Sequence, residues 1–219
     1  MKNIVMIPSV VRNPVISNFF NEDERLNQLL VTIQSVREKV PNPHIVVLEG
    51  GTEIDEDIEK MKKVGADEVF SFDLVKNDKR LLDANRSKSY GELTLFLEYL
   101  GSNSFETIKE NASSLSKVGG RCILNEKFKF DESDACVMNY SHKAWSGKGA
   151  CSGRHWKIPM SKFEHFIFRL ENLYYNFSNV MDIEHGLYEF DVVPLKDIPE
   201  NKEVGVTLWV SSSGIWEDA

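Results

Sequence analysis

An α/β fold with a mostly parallel central sheet flanked by helices is predicted by three features of this chain. Short apolar runs recur at Lys2–Ile7, Ile45–Leu48 and Glu68–Phe72. Segments with helical spacing of apolar residues separate them. A proline, glycine or polar cluster ends each run. Strand, helix, strand, helix and strand within about the first 70 residues form βαβ units, which need a parallel sheet.

The elements follow in order. Lys2–Ile7 is a strand whose apolar run, unbroken from Ile4 to Ile7, suits burial on both faces, and Pro8 ends it. Asn21–Lys39 is a helix whose Leu26, Leu29, Leu30, Ile33 and Val36 share one face, and Pro41 stops it. Ile45–Leu48 is a second buried strand, closed by the turn Glu49-Gly50-Gly51. Asp55–Val64 is a helix stopped by Gly65, and Glu68–Phe72 is a third strand. Asn77–Arg86 is polar and reads as a loop. Ser89–Tyr99 is a helix with Leu93, Phe96 and Leu97 inward. Ser114–Leu124 reads as a strand interrupted at Gly119-Gly120, and Ala135–Tyr140 as another. Ser141–Gly153, with Gly147, Gly149 and Gly153, is the most loop-like stretch. Pro159–Phe177 reads as a long helix, Asp182–Phe190 as a short one, and Val204–Val210 as the last strand before a Ser211–Gly214 turn.

Composition narrows the function classes. The chain has 219 residues with 42% hydrophobic, enough for one core. Splitting into domains is expected above roughly 250–300 residues. Net charge is −8, from 26 basic and 34 acidic residues, with no basic stripe. Nucleic-acid backbone is therefore a poor partner. The opening apolar run breaks at Pro8 without a small-residue cleavage site, so it reads as a strand and not a leader. No stretch approaches the roughly 18–20 apolar residues of a membrane span. A cytoplasmic location is expected. Three cysteines at irregular spacing, Cys122, Cys136 and Cys151, suit neither a disulfide framework nor a zinc site.

Ligands of parallel α/β sheets bind at the carboxyl ends of the strands. Four such ends here are polar or glycine-rich: Pro8–Arg12, Glu49–Gly51, Lys117–Arg121 and Ser141–Arg154. Each taken singly is a connecting loop, and Gly50-Gly51 alone is a turn. Their number in one sheet favours a shared cleft. Arg12, Lys88, Arg121 and Arg154 are the cations at these ends, and arginine grips phosphate through paired N–H donors. Arg121 follows two glycines inside an apolar pattern, which a solvated surface residue does not explain. Glu184 and His185 open a short helix, where a carboxylate is favoured by the helix dipole and an imidazole can meet a phosphate or a metal. The ordinary reading of that pair is a cap and a surface histidine. Asp55-Glu56-Asp57 opens a helix and reads as first-turn charge. No P-loop, GxGxxG or Gly-x-Ser-x-Gly motif occurs.

Several segments resemble GT-A-type nucleotide-sugar glycosyltransferases, in particular small bacterial and large-DNA-virus (algal virus) sugar transferases. IPSVVR, ERLNQLLVTIQSVREKVP and HIVVLEGG resemble the donor-binding half of that fold. NRSKSYGELTLFLEYL resembles the segment that holds a Lys or Arg and an Asn near the nucleotide. LSKVGGRCILNEKF resembles a Lys-x-Ser-Gly-Arg-Tyr segment, and CSGRHWKIP and DIEHGLYEF resemble later motifs with an acidic-His pair. The resemblance implies a single GT-A-like (Rossmann-like) domain over 1–219, with a donor-binding half at about 1–125 and an acceptor-side half at about 126–219. It implies transfer of a sugar from a nucleoside-diphosphate sugar, UDP favoured, to a hydroxyl of a glycan acceptor. Pro8, Ser9 and Arg12 would line the nucleotide pocket with Gly50, Asn85, Gly120 and Arg154. Glu49 would bond the base or ribose, and Lys88 and Arg121 would face the diphosphate. Glu184 would be the catalytic or acceptor-orienting carboxylate, with His185 beside a phosphate or metal.

One departure bears on the cofactor. The family's Asp-x-Asp, which binds Mn²⁺ or Mg²⁺, is here Val118-Gly119-Gly120-Arg121. Either Arg121 replaces the cation's charge, or Asp131, Asp134 and His185 supply ligands. Two rivals share parts of the pattern. A sugar-1-phosphate nucleotidyltransferase would need a glycine-rich loop after the first strand, which PSVVRNP lacks. A non-catalytic nucleotide-sugar-binding module would tolerate the missing acidic pair.

Overall fold

The computed structural model describes residues 1–12, 20–51, 53–74, 87–144, 146–180, 182–196, 198–200, 203–209 and 216–218. Its centre is a six-stranded, mostly parallel sheet flanked by helices. The first half runs β1 (Lys2–Ser9), α1 (Glu22–Lys39), β2 (Pro43–Glu49), α2 (Asp55–Val64) and β3 (Glu68–Ser71). Then come α3 (Ser87–Leu100), α4 (Asn103–Lys109), β4 (Ala112–Val118), β5 (Cys122–Leu124), β6 (Val137–Ser141) and β7 (Ala150–Pro159). The chain continues through α5 (Phe163–Asn176), α6 (Ile183–Glu189), β8 (Val206–Trp209) and β9 (Trp216–Asp218). Sheet order is β3-β2-β1-β4-β7-β6, and β5-β8-β9 form a small second sheet.

Strands β3, β2, β1 and β4 are mutually parallel. Only β7 opposes them, pairing antiparallel with β4 and β6. The chain builds outward from β1 to β3, then returns to β1's other side as β4. The sheet therefore has its topological switch point between β1 and β4, where α/β sheets open a crevice. Because β7 runs backwards, its first residues arrive at that same edge: Gly119 N–H donates to the Arg154 carbonyl at 2.8 Å.

Both faces of the sheet are covered. Ile4, Met6, Val46, Leu48, Leu115, Trp156 and Ile158 pack towards α3, α5 and α6. Val5, Ile7, Ile45, Val47 and Val118 pack towards α1, Met61 of α2, and the small sheet. A doubly covered parallel strand must be apolar at every position, which is why β1 and β2 read as unbroken runs.

Helix α1 owes its position to its first turn. Asn21 is the N-cap: its side chain accepts from Glu24 N–H at 2.9 Å, and Glu24 Oε2 accepts from Asn21 N–H at 2.8 Å. Both otherwise orphaned donors are satisfied reciprocally. Three acidic residues sit in the first turn and Arg37 and Lys39 in the last, matching the helix dipole.

Four elements differ from the sequence expectation. The strand expected over Ser114–Leu124 is two strands in two sheets. Cys122 N–H bonds the Gly119 carbonyl at 2.9 Å, turning the chain out of the main sheet. The expected loop Ser141–Gly153 ends inside β7, and the expected helix from Pro159 starts as a 3-10 turn at Met160–Lys162 before α5 begins at Phe163. Helix α4 was not expected; Ser102 caps it, accepting from Phe105 N–H at 3.3 Å. The expected final strand is β8, Val206–Trp209, which pairs with β5. The Asn77–Arg86 and Ser211–Gly214 expectations lie outside the described residues. No helix among the described residues is long and apolar enough to cross a membrane.

Asn21→Ala removes the cap of α1, which carries Arg25 in its first turn. Urea unfolding of this variant is expected to show a loss of about 1 kcal/mol with an unchanged m-value.

Candidate functional site

Glu49 ends β2 at the carboxyl edge and is 4% exposed. Its Oε1 accepts from the backbone N–H groups of Val11 and Gly51, both at 2.9 Å. The carboxylate thus ties the loop after β1 to the turn after β2. Gly51 is required for this approach, because a Cβ there would lie 2.3 Å from the Arg12 carbonyl oxygen. Oε2 is buried and makes no hydrogen bond. Ser9 lies close enough to favour the charged form without completing a well-aligned bond. Burial raises the Glu49 carboxyl above the usual range, against the pull of the two amides, Ser9 and Arg25.

Around it stand three guanidinium groups with different fates. Arg12 is clamped: its Nε meets Asp57 Oδ2 at 2.7 Å and its Nη1 meets Glu22 Oε2 at 2.8 Å. The Asp57 hydrogen bond leads in raising its pKa. Arg12 therefore pins its loop to α1 and α2, and its charge is already answered. Asp57 serves this clamp and not merely the first turn of α2. Arg25 donates from Nη1 to the Val10 carbonyl at 3.0 Å, while its Nε is buried without a partner. It makes no ion pair among the described residues. Arg121 makes neither an ion pair nor a hydrogen bond among them. Burial lowers the pKa of both, and each feels the other's like charge or Arg12's. Arginine stays charged through such shifts. Neither Arg25 nor Arg121 makes an ion pair among the described residues, though Arg25 lies within electrostatic reach of Glu22 and Glu49.

Gly120 belongs to the same edge. A Cβ there would come 2.5 Å from the Pro8 carbonyl, so only glycine lets the strand exits of β1 and β4 approach so closely. Gly50 follows β2 with its N–H on the Ser9 carbonyl at 2.9 Å. Arg154, in β7, faces the Gly119 turn through its backbone. Pro8, Ser9, Glu49, Gly50, Gly120, Arg121 and Arg154 are thus brought together. Lys88 lies in the first turn of α3. Asn85 lies outside the described residues.

Beyond β4 lies a second charged group. Lys117, 2% exposed, reaches Glu92 Oε1 of α3 at 2.9 Å and donates to the Gly153 carbonyl. Burial opposes its charge, but Glu92 more than offsets this, and Cys122 and Glu184 act the same way, so its pKa is raised. Glu184 sits in the first turn of α6, against Gly153: a Cβ at Gly153 would lie 2.6 Å from Glu184 Oε1. Burial raises the Glu184 carboxyl, Glu92 and Asp182 push the same way, and its own N–H and Lys117 pull back. Two carboxylates thus flank one buried ammonium.

His185 is fully buried. Its Nδ1 meets Asp182 Oδ1 at 2.6 Å and its Nε2 meets Ser146 Oγ at 2.6 Å. Neither ring nitrogen is left for a metal in this arrangement. Asp134 bonds Ser161 beyond the end of β7, which pairs with the start of β4, and so lies at the opposite edge. Asp131 caps Ser133 in the same loop. These two cannot join His185 around one ion. No three His, Cys, Asp or Glu side chains form a metal-binding group among the described residues. Glu92, on this side of the sheet, pairs with Lys117 at 2.9 Å.

Arg25, Lys117 and Glu92 escaped the sequence reading. Lys117 carried a signal: a lysine inside the apolar run Leu115–Val118 has to find a buried partner. Arg25 and Glu92 carried none, because a charge in a helix turn looks the same whether it faces solvent or a crevice. No protein-family model and no curated protein matches this chain.

An acid whose pKa is raised by folding keeps its proton longer in the native state. Stability is therefore highest below the ordinary carboxyl range and falls as pH climbs through the folded value. Glu49→Gln removes that loss and keeps an acceptor for Val11 and Gly51. Thermal unfolding at about pH 8 should show the variant at least as stable as wild type, with the advantage shrinking towards about pH 4.

Proposed function

We propose that this protein is a glycosyltransferase of the GT-A type that takes a nucleoside-diphosphate sugar, UDP-linked in preference, as donor. The observation that carries the reading is the carboxyl edge at the β1–β4 switch point. A buried carboxylate with one oxygen that makes no hydrogen bond lies there beside Arg25, and Arg121 stands near Arg25; neither guanidinium makes an ion pair among the described residues. A nucleotide has the matching chemistry: hydroxyl or N–H donors at one end and a diphosphate at the other. The resemblance of the strand-end segments to such transferases points the same way.

In this reading Glu49 Oε2 accepts from the ribose or base. Arg25 and Arg121 hold the diphosphate, and Arg12 shapes the loop without touching it. As the bond from sugar to diphosphate breaks, negative charge grows on the leaving phosphate. Fixed cations at that point stabilise it without reorganisation. This role suits Arg121, which stands where related enzymes carry an acidic pair. Glu184, beyond Gly153, faces the sugar and the acceptor. Its carboxylate either deprotonates the acceptor hydroxyl or steadies the positive charge at the anomeric carbon. Lys117 keeps that carboxylate oriented. The acceptor is a glycan hydroxyl.

Calorimetric titration with UDP-sugars and other nucleoside-diphosphate sugars tests the donor site. Binding is expected, weakened tenfold or more in Arg121→Ala, on the order of the 1.5–3 kcal/mol of a charged hydrogen bond. Absence of binding to every such donor ends the reading. Glu184→Gln should retain donor binding and lose turnover on the order of 100-fold or more. Because burial raises the Glu184 carboxyl, wild-type turnover should fall on acidification at a higher pH than an ordinary glutamate would set. Donor binding without turnover in wild type would instead assign a non-catalytic binding module.

A further inference from the structure

The geometry points to Ser146 as an activated nucleophile for carboxylic esters, with His185 and Asp182 as its relay. This inference stands apart from the nucleotide-sugar reading, since none of its three residues lies in the Glu49–Arg121 edge.

The assignment rests on which atoms meet. Asp182 is the N-cap of α6, and its Oδ1 accepts from the His185 backbone N–H at 2.9 Å. The same oxygen lies 2.6 Å from His185 Nδ1. A carboxylate only accepts, so Nδ1 carries a proton, and in the neutral imidazole Nε2 presents a lone pair. The group 2.6 Å from Nε2 is the Ser146 hydroxyl, which must then be the donor. Serine to Nε2 and carboxylate to Nδ1 is the order that activates a serine. The Lys148 N–H also donates to Ser146 Oγ, at 3.2 Å, and so favours negative charge on that oxygen.

The surroundings hold this arrangement still. His185 is fully buried, whereas Ser146 is half-buried. Ser146 lies in a tight turn in which Gly147 N–H bonds the Ala144 carbonyl at 2.9 Å and Ala144 N–H bonds the Lys148 carbonyl at 2.8 Å. Gly147 follows with φ of +77°, and a Cβ there would meet nothing within 4 Å, so the turn opens to the outside. The flanks are fastened. Gly149 lies flat on the Tyr188 ring, Tyr188 bonds His142, and Glu200 accepts from His142 N–H at 2.7 Å.

The step is a transacylation. Ser146 Oγ bonds the ester carbonyl carbon while its proton moves to His185 Nε2. The carbon–alkoxy bond then breaks, and the leaving alcohol takes that proton. Water releases the acid from Ser146 by the same exchange. A fluorophosphonate follows the first half: the Oγ–P bond forms, fluoride leaves, and the serine proton passes through Nε2 to solvent.

The test is incubation of the full chain with a fluorophosphonate probe, followed by peptide mass spectrometry. Labelling at Ser146 is expected, absent in Ser146→Ala and at least tenfold slower in Asp182→Asn. Thermal unfolding of each variant separates loss of reactivity from loss of fold. An unlabelled wild-type protein overturns the inference without any variant. Labelling that persists in Ser146→Ala, or Asp182→Asn labelling at the wild-type rate, also overturns it.

Discussion

A parallel sheet covered on both faces leaves its chain one place for polar chemistry, the edge where strands end. The rest of this molecule follows from that constraint. β1 is the innermost strand of the β3-β2-β1-β4 array, and every residue from Asn3 to Ile7 is buried. Apolar packing takes both faces, so polar side chains collect where β1, β2 and β4 exit. The contact between Gly120 and the Pro8 carbonyl closes the β1 and β4 exits on each other. No side chain larger than hydrogen fits at Gly120 while these exits stay so close.

The charges at this edge are arranged in two groups of opposite design. At the β1–β2 end, one buried carboxylate lies near Arg25, which makes no ion pair among the described residues. At the β4–β7 end, one buried ammonium pairs with the Glu92 carboxylate. Burying charge in this way works against folding unless partners are close. The Arg12 clamp and the Lys117 bridge answer their charges within the protein. Glu49 Oε2 and Arg121 do not. Unanswered polar groups at a strand edge are where stability is given up for binding.

The turn that carries Ser146 shows the same economy of position. It sits on the first residues of the only antiparallel strand in the main sheet, and α6 packs directly on β7. The reversal of β7 therefore delivers both the Gly153–Glu184 contact and the Ser146–His185 contact to one side of the sheet. Had β7 run parallel to β4, they would lie at the opposite end.

The strand and helix pattern of the first 72 residues was legible because it depends on local order. Unbroken apolar runs make buried strands, and apolar residues three and four apart, stopped by a proline, make a helix. Glu49, Gly120 and Arg121 were legible as strand-end residues for the same reason. The strand β7 was hidden by CSGRHWKIP, whose small and charged residues look like a loop. Its lysine and histidine are buried only because β4 and β6 enclose it. The sequence by itself determined the α/β class and the polar character of the strand ends, since both follow from spacing along the chain. Tertiary structure alone decided that Arg12 is answered by Asp57 while Arg121 finds no ion pair among the described residues, that Lys117 pairs with Glu92, and that His185 lies between Asp182 and Ser146. Most of those outcomes depend on side chains that meet across long stretches of chain, 39 residues for Ser146 and His185 and 45 for Arg12 and Asp57, and spacing carries no record of that.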